Sequence, residues 1–183
     1  MPTTIRHATP DDAPALSRFA SRTFRDTFAG QNTPEDMRAY LSAAFSHTRQ
    51  LSEINDPAMV TLIAEEGAEL IGYAQLRVSA PPSCVPEAQA IELVRLYVDR
   101  ARHGRGVAHT LMQAVLEAAA ARGGAIWLGV WEHNPRAIAF YQKWGFADVG
   151  SHTFQLGDDP QVDRLMWRVA GRESVLEEPE TSS

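Results

Sequence analysis

Residues 91–111, IELVRLYVDRARHGRGVAHTL, run an apolar strand into a basic, glycine-rich turn and then an amphipathic helix. A helix start carries unpaired backbone N–H groups and the positive end of the helix dipole, so a turn of this kind can hold an anion, most often a phosphate. The turn reads His103, Gly104, Arg105, Gly106, Val107, Ala108, and its small residues at 104, 106 and 108 let backbone approach a ligand unobstructed. Its spacing is neither the strand-linked GxGxxG of dinucleotide folds nor a phosphate loop with Gly-Lys-Ser/Thr. A pyrophosphate-bearing ligand fits the pattern; so does a plain chain reversal, and the segment alone leaves both open.

Two further side chains invite chemistry. Glu92 is a carboxylate inside the apolar strand, where burial favours proton uptake; an ion pair or a strand-end surface residue is the alternative. Tyr141 lies three residues from both Ile138 and Trp144, the register of an ordinary core-facing aromatic.

The glycine-rich turn resembles motif A of the GNAT superfamily of N-acetyltransferases, Arg/Gln-x-x-Gly-x-Gly/Ala. His103, Gly106 and Ala108 meet it, with histidine standing where the family has arginine or glutamine. Leu96, Tyr97 and Val98 before it, and NPRAIAFYQKWGF at 134–146 after it, fit the same family in order. WLGVWEHN (127–134), GSHTFQLGDDPQVDRLM (150–166) and FRDTFAGQNTPEDMRAYL (24–41) are similar to the bacterial spermidine/spermine N-acetyltransferase branch, so the likeness spans nearly all of the chain before its tail.

The resemblance implies an α/β acyl-CoA N-acyltransferase fold, a central twisted mixed sheet flanked by helices, with acetyl-CoA as co-substrate and its pantetheine arm between splayed parallel strands. It implies coenzyme A contacts from Leu96, Tyr97 and Val98 and a pyrophosphate cradle at His103, Gly104, Arg105, Gly106, Val107 and Ala108. Arg102 or Arg105 could supply the charge that His103 lacks. Asn134 and Lys143 are further coenzyme A contacts, against the alternatives of a helix cap and a solvated lysine.

Moving acetyl from a thioester to an amine requires a neutral amine, a donor for the developing oxyanion and a proton for the leaving thiolate. Primary amines titrate near ~10, so a base must act first. The expected catalytic pair is Glu92 as base and Tyr141 as acid, the latter matching the family's tyrosine, with the Val98 N–H as oxyanion donor. Asp26, Glu35 or Asp158 could also attract a cationic acceptor. A polyamine such as spermidine or spermine is the favoured acceptor, with a protein or peptide amine or another small amine as alternatives. An acetyl-CoA-binding module of weak catalytic power is the competing class; Tyr141 argues for the enzyme and His103 leaves room for the module.

Composition bounds the rest. With 183 residues, 44% hydrophobic and 22% charged, the chain suits one globular domain, placed at 1–171, followed by an acidic, disordered tail at 172–183. A net charge of −6 disfavours nucleic acid as a partner and leans toward a cationic small-molecule amine. The single Cys84 excludes an internal disulfide, and the six histidines lack metal-ligand spacing, so no metal is expected. No apolar run approaches the roughly 20 residues of a membrane span, and the first residues lack a signal peptide's apolar core; a cytoplasmic protein with no membrane partner is expected. A homodimer is compatible with the sequence.

These groups need a scaffold, and the periodicity supplies one. Thr3–Ala8 reads as a strand. Thr9-Pro10 and Thr33-Pro34 read as helix starts, which makes residues 10–54 a helical arm. Strands are predicted at 58–65, 69–79, 91–98, 125–131, 146–155 and 162–169, and helices at 107–122 and 135–144. Along 91–98 the apolar parity slips between Leu93 and Val94, the mark of a β-bulge or of a central strand buried on both faces. The β-α-β at 91–131 predicts a parallel pair within an otherwise antiparallel sheet.

Overall fold

In a computed structural model that describes residues 2–169, the strands order as β1-β2-β3-β4-β5-β7-β6 in one seven-stranded sheet. The strands are β1 (Thr3–His7), β2 (Met59–Glu66), β3 (Glu69–Arg77), β4 (Ile91–Val98), β5 (Ile126–Trp131), β6 (Ala147–Leu156) and β7 (Asp159–Arg168). The helices are α1 (Ala13–Phe28), α2 (Pro34–Phe45), α3 (His47–Asn55), α4 (Val107–Ala120) and α5 (Pro135–Lys143). Only β4 and β5 pair in parallel; every other neighbouring pair is antiparallel. This is the mixed α/β sheet expected. The tail expected at 172–183 lies outside the described residues.

Each face of the sheet buries a separate apolar layer. On one, Leu111, Met112 and Val115 of α4 pack with Leu62, Ile71, Leu93 and Ile126, and α5 adds Ile138 and Phe140. On the other, Leu16, Phe19 and Phe24 of α1 and Met37, Leu41 and Phe45 of α2 pack on Tyr73 and Leu156. The α1 residues recur at helical spacing because only that stripe meets the sheet. The arm begins as a 3₁₀ turn at Pro10–Asp12, since Asp12 accepts from the Thr9 N–H at 2.7 Å and tightens the first turn.

One boundary differs from the sequence reading by more than two residues. The last strand starts at Asp159 rather than 162, because the β6–β7 turn is only Gly157-Asp158. That turn docks on α2, where the Asp158 N–H donates to Asp36 Oδ1 at 2.8 Å. A Cβ on Gly157, whose φ is +60°, would fall 2.8 Å from the Asp36 Cα, so only glycine permits the approach.

Candidate active site

The parity slip in β4 is a bulge. Gln75 pairs with Arg95 but Leu76 with Leu93, which leaves Val94 as the extra residue. From there β4 no longer follows β5; their parallel pairing is confined to Ile91↔Ile126 and Glu92↔Trp127. The gap beyond holds a cleft of about 380 Å³ reached from α1, β4, β5, α5 and the β6–β7 hairpin.

The main chain on the β4 side of this gap is turned toward it, with the Val98 carbonyl already met by His103. The Asp99 N–H donates to Ile71 O at 2.9 Å, so Gly72 and Val98 face each other as a non-hydrogen-bonded antiparallel pair. Alternation then turns the amides and carbonyls of Val98 and Leu96 away from β3, toward the gap. Tyr97 differs from these two neighbours: its main chain serves β3, and its ring stacks on Tyr73 at 5.7 Å within the α1 layer. It therefore reaches the cleft as an aromatic wall and not as part of a backbone ladder.

His103 also departs from expectation. Arg136, at the start of α5, donates through Nη1 to His103 Nδ1 at 2.9 Å. A guanidinium can only donate, so the imidazole proton sits on Nε2, which points at Val98 O at 3.1 Å. The ring is a strut between β4 and α5, leaving its backbone for the turn. Arg102 is likewise engaged, with Glu66 at 3.2 Å and Glu69 at 3.1 Å. Arg105 is exposed, with no ion-pair partner among the described residues, and is the free cation at the turn.

The turn itself fits a pyrophosphate. Gly104 and Gly106 hold φ of +77° and +82°, and a Cβ built on either meets nothing within 4 Å. Gly106 caps α4 without any side-chain hydrogen bond, whereas Thr33, Ser46 and Asn134 cap α2, α3 and α5 with theirs. The first-turn N–H groups of α4, at Val107 and Ala108, are thus left for an external acceptor.

Tyr141 and Asn134 both line the cleft from α5. Burial pushes the Tyr141 phenol above its ordinary range, which keeps it protonated at neutral pH. Asn134 uses Oδ1 to cap α5 through the Ala137 N–H at 3.1 Å, the cap alternative, while the residue still borders the cleft. Lys143 stands exposed in the last turn of α5.

Glu92 lines the cleft but is already matched. Arg77 donates to its Oε2 through Nε at 2.9 Å and Nη2 at 2.6 Å, and the Ser79 hydroxyl donates to the same oxygen at 3.1 Å. That geometry corresponds to the ion-pair alternative weighed for this residue. The indole N–H of Trp127, its neighbour across the strand pair, is buried without a partner and borders the cleft.

On the arm side, Phe24, Phe28, Tyr40, Trp131 and Phe154 close the cleft with aromatic surface, Phe28 meeting Trp131 edge-on at 5.9 Å and Tyr40 meeting Phe154 at 5.5 Å. Arg95 enters the same space, its charge balanced by Glu53 at 2.6 Å and its guanidinium 4.9 Å over the Phe45 ring. The wall's polar members, His152 on β6 and Asp163 on β7, were not singled out from sequence, and neither was the strut residue Arg136. The one signal for that pair is Gly129, a glycine inside the apolar run WLGVW, which marks a close approach by another group.

A family model of the acetyltransferase (GNAT) family matches residues 21–146. An uncharacterized N-acetyltransferase of Mycobacterium tuberculosis is 35% identical over 158 residues, covering 86% of this chain and 97% of that protein. The N-alpha-acetyltransferase RimI of the same organism is 36% identical over 88 residues, 48% of this chain and 51% of that one. The crystal structure of PaiA N-acetyltransferase from Thermoplasma acidophilum in complex with coenzyme A superposes with a TM-score of 0.75 at 22% identity, over 92% of this chain and 99% of that one.

Proposed function

The chain belongs to the acetyltransferase (GNAT) family and is an acetyl-CoA-dependent N-acetyltransferase, and from that premise we propose that its acceptor is a primary amine of a polyamine, acetylated by direct transfer in a ternary complex. The observation that carries this reading is the gap between β4 and β5, which brings two unlike surfaces to one cleft. Tyr141 and the outward main chain of Leu96 and Val98 border one side. Aromatic rings and a carboxylate border the other.

The roles follow from position. The N–H groups opening α4, with Arg105, hold the pyrophosphate; Leu96 and Val98 pair with the pantetheine amides as an added strand would. The Val98 N–H faces the oxyanion, and the Tyr141 hydroxyl gives its proton to the leaving sulfur. Aromatic faces attract alkylammonium groups and pack on methylene stems, which suits a polyamine, and the net charge of −6 favours its approach.

A second reading is acetylation of a peptide α-amine, supported by the 88-residue likeness to RimI, whose name makes it an N-alpha-acetyltransferase. Incubation with acetyl-CoA and a panel of spermidine, spermine, lysine and short peptides, read by thiol release and by the mass of the acetylated amine, separates the two. Turnover highest on spermidine or spermine supports the polyamine reading; turnover confined to peptide α-amines replaces it with the second.

A further inference from the structure

We propose that His152 and Asp163 form the acceptor-side proton-accepting pair of this enzyme, binding the incoming ammonium and removing its proton before attack. The proposal rests on the amine-acceptor reading above and names the residues that make the amine reactive.

Three observations carry it. First, Asp163 and His152 face each other across the β6–β7 ladder, with His152 Nε2 3.8 Å from Asp163 Oδ2, and both border the cleft. Second, of the two carboxylates lining that cleft, Glu92 is clasped by Arg77, whereas the one charged partner within 4 Å of the Asp163 carboxylate among the described residues is His152. Third, β5 makes room for the pair. A Cβ on Gly129 would lie 3.1 Å from His152 Nε2 and 3.2 Å from Asp163 Oδ2, so a glycine stands where any larger residue would crowd both groups.

The surroundings suit the task. Asp163 pairs with Trp131 across β5 and β7, so it opens on the aromatic wall. Its side chain is 13% exposed, and burial raises its proton affinity, while 41% of the His152 side chain remains exposed and gives the proton an exit to water. Tyr40 of α2 lies near Asp163, and the cleft also holds Arg95 of β4 (balanced by Glu53), Glu92 (paired with Arg77) and the phenols of Tyr97 and Tyr141; β5 contributes no charged or titratable group.

The proton balance closes without another reactant. The pair, as carboxylate and neutral imidazole, takes one proton from the ammonium and becomes carboxylate and imidazolium. The freed nitrogen forms a bond to the acetyl carbon, the carbon–sulfur bond breaks, and Tyr141 protonates the sulfur and recovers a proton from the nitrogen. His152 then releases its proton to solvent. The products are the amide, the thiol and one proton.

The test is kcat/KM for spermidine at pH 7 and pH 9.5 in the wild type and in Asp163→Asn, His152→Gln and Gly129→Ala, with acetyl-CoA affinity measured by calorimetry. The pair predicts losses at pH 7 on the order of 10²-fold for the first two variants, shrinking at least tenfold at pH 9.5 where the amine deprotonates unaided, with acetyl-CoA affinity within about twofold. Gly129→Ala alters neither side chain and should lose activity with the same pH trend, so it and His152→Gln carry the test if Asp163→Asn folds poorly. Unchanged kcat/KM, or equal losses at both pH values, overturns the proposal. A wild type that acetylates no amine takes down the acceptor reading as well, a result distinct from active wild type with unaffected variants.

Discussion

Burial raises the proton affinity of both Tyr141 and Asp163, favouring the neutral form of each. A phenol raised above its ordinary value stays protonated at neutral pH, as a proton donor to a thiolate must. Tyr141→Phe is therefore expected to lower kcat by about 10²-fold while acetyl-CoA affinity, read by calorimetry, stays within about twofold. A carboxylate whose proton affinity rises on folding favours the protonated form, so its contribution to stability is present below the ordinary carboxylate value and is lost as pH rises through the folded one. Asp163 thus costs stability at pH 7. Asp163→Asn is expected to raise the melting temperature by a few degrees at pH 7 and to leave it unchanged near pH 3, where both side chains are neutral. Gain in stability with loss of activity is the signature of a group retained for function.

Elements, not single side chains, keep the cleft open. The arm is fastened by a buried network in which Glu53 of α3 accepts from Arg95 at 2.6 Å and Gln75 at 3.2 Å, while Arg95 also reaches Ala44 O at 3.3 Å. Arg95 is 9% exposed, so Glu53→Gln leaves a buried cation without its counter-charge and is expected to cost about 3 kcal/mol in urea unfolding. The opposite wall depends on the β6–β7 turn seated on α2. Gly157→Ala is expected to unseat it and raise KM for the amine severalfold, with acetyl-CoA affinity unchanged. Much of this framework can be read in the chain. The capped starts at Thr33 and Asn134, the αL glycines of the turn and the parity slip at Val94 are local signals with local causes. What sequence hides are partners brought together by strand order. Arg77 reaches Glu92 from another strand, and Gly129, His152 and Asp163 meet only because β7 inserts between β5 and β6. Tyr97 and His103 follow the same rule, since the residues that claim them, Tyr73 and Arg136, lie 24 and 33 positions away along the chain.

At the scale of the fold, the sheet opens between β4 and β5, and on the proposed reading that gap sets the order of chemistry. Helices α4 and α5 pack on one face, with the glycine-rich turn at the head of α4; the arm covers the other face and carries the aromatic wall. Donor and acceptor can therefore occupy the cleft together, and no nucleophilic side chain is needed to carry the acetyl group between them; Cys84, the chain's single cysteine, is exposed and does not border the cleft. Initial rates with acetyl-CoA and the amine varied against each other decide whether this is so. Direct transfer predicts double-reciprocal lines that intersect, and protein of unmodified mass after incubation with acetyl-CoA alone. Parallel lines, together with a protein that gains one acetyl group, would contradict it.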